Sequence, residues 1–165
     1  MGFLDGIINP RTSQLQSEGV WAGPELDTYV VLRRMHISAD FLRQSVPEQE
    51  AAIGRKRADG TPLSGGGPMD ELDLFAKSDA GRLAVPAGAH ARRAHPANIG
   101  RPLMLRRSYS IDSAKGAGLL FAAYLSDPQT FVATQRRLDE QDELIKHTST
   151  SASGCFFVPG DLGEK

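Results

Sequence analysis

Cysteine is nearly missing from this chain. The single thiol, Cys155, excludes an internal disulfide and any cysteine-built zinc or iron–sulfur site, because each of these needs several sulfurs. It leaves the compartment open, since disulfide-free proteins occur in the cytoplasm and outside it. Net charge is equally scarce: 19 basic residues against 20 acidic ones leave −1, which steers the protein toward neither nucleic acid nor an anionic membrane. Long apolar runs are absent too. The longest stretches, such as Ala117 to Leu125, are far too short to span a bilayer. No internal repeat is visible. What is present is 165 residues, 40% of them hydrophobic, enough to bury one core, so residues 1–165 are expected to form a single globular domain. Met1 leads straight into Gly-Phe-Leu-Asp-Gly with no lead-in, which raises the expectation that an upstream half belongs with this one.

Along the chain, residues 2–24 are rich in Gly, Asn, Pro and Ser and read as a loop that positions Asp5. Thr28 to Ile37 is the first strand, with a β-branched and aromatic Tyr-Val-Val-Leu core. Ser38 caps a short helix carrying Phe41 and Leu42, and Pro47 restarts a second one through Ile53. Gly54 to about Pro96 reads as a long loop, which in a compact domain calls for something to organise it; a cofactor would serve. Leu103 to Ile111 and Gly118 to Leu125 read as a hairpin. Asp127-Pro128 opens a helix with Phe131, Val132 and Leu138 on one side, Glu140 to Lys146 reads as a second helical stretch, and Gly154 to Val158 as the last strand. This order predicts an α+β fold, an antiparallel sheet with helices on one face of the ferredoxin-like kind.

Four histidines are the first candidates for chemistry. His36 ends a strand, and His147 sits near a helix end, where its charge suits the dipole; both read as structural. His90 and His95 lie in Ala-His-Ala-Arg-Arg-Ala-His-Pro beside the long loop. Their spacing of five does not put two ligands on one helical face, so at most one is a metal ligand. Arg106 and Arg107 are adjacent on a strand and face opposite sides, so only one can serve a given face.

At Gly2-Phe3-Leu4-Asp5-Gly6, followed by Asn9-Pro10, the chain resembles the GxxDG signature of the DyP-type haem peroxidases. The likeness continues in order through Tyr29 to Arg34, Ile53 to Lys56, Asp59-Gly60 with Pro62-Leu63, and Ala89-His90 with Arg92 and Pro96. It runs on through Leu105 to Ser110, Gly118 to Phe121, Gln135 to Leu138 and Phe156 to Gly160. It covers essentially the whole chain, and corresponds to the C-terminal half of a fold built from two ferredoxin-like halves.

The resemblance implies haem b as cofactor, with His90 as the proximal iron ligand and Asp142 as the acid that accepts the other ring N–H, against a plain helix carboxylate as the alternative. It places Asp5 as the distal acid and, between the two arginines, selects Arg106 as the distal cation. Peroxide O–O heterolysis needs a proton carried between the oxygens and a positive charge for the departing one, which those residue types supply. Ser108, two residues on and on the same strand face, takes a distal position. Leu119 and Phe121 either wall the haem cavity or pack the core, and Arg92 either meets a haem propionate or is a solvated charge. Trp21, Tyr109 and Tyr124 are the aromatics suited to pass an electron to large donors.

The implied activity is a haem-dependent peroxidase that reduces hydrogen peroxide and oxidises bulky aromatic donors such as dyes or phenols. Its rivals are a haem-binding protein without turnover and an inactive half that needs a complementary N-terminal chain. The implied partners are hydrogen peroxide, aromatic reducing substrates and an N-terminal half chain or a second copy; no nucleic acid and no membrane span is expected.

Overall fold

A computed structural model describes residues 2–4, 8–10, 19–23, 25–113 and 116–160. Asp5 lies outside the described residues. Strand β1 is Thr28–Ile37, β2 Leu105–Ser113, β3 Gly116–Leu125 and β4 Thr148–Val158; helices α1 to α5 are Ala39–Arg43, Val46–Ile53, His90–Arg93, Pro96–Ile99 and Pro128–Gln141. The strands form one antiparallel sheet in the order β2-β3-β1-β4. The central strands are thus the two that carry the apolar runs. This is the ferredoxin-like arrangement expected from the sequence.

Local signals set the helix ends. Ser38 Oγ accepts from the Phe41 N–H, and Ser45 and Glu48 form a capping box at α2. Asp127 caps α5 through the Gln129 N–H, with Pro128 in the first turn. At Gly54 the α2 chain turns left-handed, with φ 95°, and an added Cβ would come within 3.1 Å of Val85 Cγ1.

Strand alternation gives the sheet two different faces. One carries Val31, Ala123, Leu125 and Phe121, on which α5 packs through Phe131. Arg106 and Ser108 point to this same face, because they sit opposite Ala123 and Phe121. The other face presents Tyr109, Leu120, Phe156 and Val158, all exposed. No helix among the described residues is long and apolar enough to cross a membrane.

Three elements differ from the sequence reading. Residues 90–93 and 96–99, taken as the end of a loop, are short helices. The stretch from Glu140 is not a separate helix: α5 runs on to Gln141, Asp142 stops it, and a 3-10 turn follows at Ile145–His147. Strand β4 begins at Thr148, six residues before its apolar part: residues 149–153 are exposed and mostly polar, and this stretch pairs with β1 around a bulge at Ser151. Their alternation carries no hydrophobic signal to read.

Candidate functional site

The long loop is organised first by the protein itself. Arg55, buried at the end of α2, donates to the carbonyls of Gly60, Pro68 and Asp70. One guanidinium therefore replaces the backbone pairing that an irregular segment lacks. Burial, and next the nearby charge of Arg106, lower the Arg55 pKa, while Asp70 and Glu71 oppose them. Its role had no signal in the sequence, since Arg55 sits among Gly, Lys and Arg with no periodicity.

Beyond the loop, Ala89 begins α3 with His90 as its first residue. His90 Nδ1 lies 2.5 Å from Asp142 Oδ2. Asp142 is fully buried at the residue that ends α5, and its second oxygen accepts the N–H groups of Leu144 and Ile145 at 2.7 and 3.1 Å. Those bonds satisfy N–H groups at the start of the 3-10 turn that follows α5 and fix the carboxylate. Because a carboxylate accepts, the imidazole donates from Nδ1, and Nε2 has no hydrogen-bond partner among the described residues. Of the two readings of Asp142, a solvated helix carboxylate is excluded by its burial.

The neighbouring chain holds this pair in place. Glu143 N–H donates to the Gly88 carbonyl at 2.9 Å. The approach is open only to glycine, since a Cβ there would sit 2.8 Å from the Gln141 carbonyl oxygen. His95, the second candidate, has other work. Its Nδ1 accepts the Ala97 N–H and caps α4, and its Nε2 faces Glu71 at 3.9 Å. Burial lowers the His95 pKa; Glu71 opposes this, and the charges of Arg55 and Arg92 add to the lowering.

On the sheet, Arg106 donates through Nη2 to the Ile8 carbonyl at 2.7 Å, so the guanidinium is tied to the N-terminal segment. Ser108 Oγ is buried without a hydrogen-bond partner among the described residues, and the same holds for Arg92 Nη1. Phe121 packs against Phe131 with ring centroids 6.3 Å apart, and Leu119 lies two residues away on the same face. Tyr109 is exposed on the outer face, while Trp21 and Tyr124 are half-buried.

These donors fit a haem. An imidazole with a buried carboxylate behind it presents one open nitrogen, as an iron ligand requires. The unpartnered nitrogen of Arg92 suits a carboxylate. Among the described residues no group of three or more His, Cys, Asp or Glu could hold a metal ion.

The fold is a ferredoxin-like sheet that carries Arg106 on a strand face, with the carboxylate-backed His90 on a short helix packed against α5. The sequence matches the family described as Dyp-type peroxidase, C-terminal, over residues 1–162, and the chain belongs to that family. It is 32% identical to a dye-decolorizing peroxidase of Thermobifida fusca, across 96% of this chain and 41% of that protein. It is 34% identical to a deferrochelatase of Yersinia pestis, across 97% and 41%. Among solved structures, DtpA from Streptomyces lividans, in an oxyferrous/water mixed complex, superposes with a TM-score of 0.90 at 38% identity, covering 99% of this chain and 49% of that one. The chain thus spans less than half the length of the curated relatives it matches.

Proposed function

We propose that residues 1–165 form the haem-holding half of a peroxidase that reduces hydrogen peroxide and oxidises bulky aromatic donors. The observation that carries this reading is the His90–Asp142 pair, 2.5 Å apart, with the carboxylate fully buried and its other oxygen committed to two backbone N–H groups. A haem b bound there supplies the redox-active iron. His90 Nε2 is its ligand, and the hydrogen bond from Nδ1 to Asp142 orients the ring and raises its basicity. Arg92 would meet a propionate, and Leu119 and Phe121 would wall the haem from the sheet side.

On the sheet side, Arg106 supplies positive charge where the peroxide oxygens separate, and Ser108 adds a hydroxyl beside it. Asp5 takes the proton from one peroxide oxygen and returns it to the other. The similarity to a dye-decolorizing peroxidase supports the aromatic donors. A second reading, haem binding without peroxidase turnover, is favoured by the similarity to proteins named deferrochelatase.

The solvent-facing apolar side of the sheet completes the proposal. Tyr109, Leu120, Phe156 and Val158 are the kind of surface that an N-terminal half chain, or failing that a second copy, would cover. Haem titration of the protein followed by peroxide-dependent bleaching of an anthraquinone dye tests the function. A haem spectrum with bleaching is expected. A haem spectrum without bleaching supports the second reading, and no haem spectrum overturns both.

A further inference from the structure

Strand β2 is at the sheet edge, yet at Arg106 the edge is closed by a side chain. The carboxamide of Asn9 accepts the Arg106 N–H through Oδ1 at 2.9 Å and donates through Nδ2 to the Arg106 carbonyl at 3.0 Å. One residue earlier, the Ile8 carbonyl receives Arg106 Nη2 at 2.7 Å. Backbone and guanidinium of a single residue are therefore gripped from the same short segment, and Pro10, buried directly after it, anchors that segment. Asparagine is the fitting residue for this: its amide carries one donor and one acceptor with the spacing of a peptide group, so it pairs with a strand as a neighbouring strand would. Alanine offers neither group, and a carboxylate would set its charge against the Arg106 carbonyl.

We infer that Asn9 is a positioning residue for Arg106: it bridges the open edge of β2 and so holds the Ile8 carbonyl where it fixes the rotamer of the guanidinium. The consequence for chemistry rests on the proposed distal role of Arg106, whereas the bridge itself does not. A guanidinium already held in place stabilises developing charge without reorganising during the reaction. A free arginine on an edge strand would first have to be ordered.

The test compares wild type, Asn9→Ala and Asn9→Asp in the full-length protein. In the haem-free protein, two readouts apply: hydrogen exchange at the Arg106 amide, and NMR of rotation about the Arg106 guanidinium bonds. Asn9→Ala should speed that exchange about tenfold, as for one lost hydrogen bond, and free the rotation. Asn9→Asp keeps an acceptor for the Arg106 N–H but at neutral pH sets its charge against the Arg106 carbonyl, so its exchange should fall between those of wild type and Asn9→Ala, and should approach wild type as pH falls and the protonated acid regains a donor. In the haem-loaded protein, Asn9→Ala should weaken fluoride binding to the ferric state with no change in the spectrum assigned to the proximal ligand. Unchanged exchange and rotation would overturn the bridge. Altered exchange with unaltered guanidinium rotation and fluoride affinity would reduce Asn9 to a structural residue. Failure of wild type to bind haem would sink the proposed function, while exchange and rotation would still decide the role of Asn9.

Discussion

Arg93 gives two of its N–H donors to one acceptor, the carbonyl of Arg137, through Nε at 3.1 Å and Nη2 at 2.6 Å. The same Nη2 meets Glu140 at 2.6 Å. Arg93 is 6% exposed, so this fork ties the four-residue helix that bears His90 to the helix that ends in Asp142. A helix that short has little stability of its own. Its orientation is imposed by that tie and by the Gly88–Glu143 bond.

Replacing Arg93 with Leu removes the fork and leaves the Arg137 carbonyl without those donors. The expected cost is roughly 1–3 kcal/mol in unfolding free energy. A looser His90 should also broaden the haem spectrum of loaded protein. Arg93→Lys should recover only part of the loss, since an ammonium lacks the planar fork. Denaturant unfolding with parallel absorption spectra checks both effects.

His95 predicts a pH dependence. Its folded-state pKa is depressed, first by burial and then by the charges of Arg55 and Arg92. Folding therefore favours the neutral ring, and the unfolded chain binds the extra proton. Stability from this group is complete above the usual histidine value of about 6.5 and declines as pH falls through that value toward the lower folded one. His95→Asn keeps a side-chain acceptor for the Ala97 N–H but cannot titrate. Thermal melts at about pH 7.5 and about pH 5 should show a smaller acid-side loss for His95→Asn than for wild type; equal losses would contradict this.

Arg106→Leu and Asp5→Asn address the peroxide side. With haem loaded, Arg106→Leu should keep the cofactor and slow the reaction with peroxide by about 10²–10³-fold, the usual loss when one charge-stabilising donor is removed. Asp5→Asn should also slow it, and should flatten the acid dependence that a proton-carrying carboxyl gives. Stopped-flow mixing decides, and rates unchanged in both variants would remove these residues from the chemistry.

The uncovered sheet face predicts association. Phe156 and Tyr109 are more than half exposed on the same face as Leu120 and Val158. The isolated 165-residue chain should self-associate in light scattering, and Phe156→Lys with Tyr109→Lys should reduce this without unfolding the chain. A wild-type monomer with full turnover would show that the face needs no cover.

Much of this was legible in the sequence because the signals were local. The β1 limits, the Ser38 and Asp127 caps and the β2–β3 hairpin all follow from residue patterns of a few positions, and the structure has them within a few residues. The His90–Asp142 partnership spans 52 positions; only the family likeness suggested it, and burial of Asp142 cannot be read from Gln141-Asp142-Glu143. Arg55 and Arg93 were missed for a related reason. Both are buried cations whose partners are mostly backbone carbonyls, and carbonyls leave no trace in residue type. The role of Asn9 was hidden likewise, since its partner is the main chain of Arg106.

The axial histidine is tested most directly by the absorption and electron paramagnetic resonance spectra of haem-loaded His90→Ala and His95→Ala proteins, with imidazole added back to the first. The account predicts that His90→Ala loses the histidine-ligated signature and regains it with imidazole, while His95→Ala keeps it throughout. Loss of the signature in His95→Ala with retention in His90→Ala would contradict it.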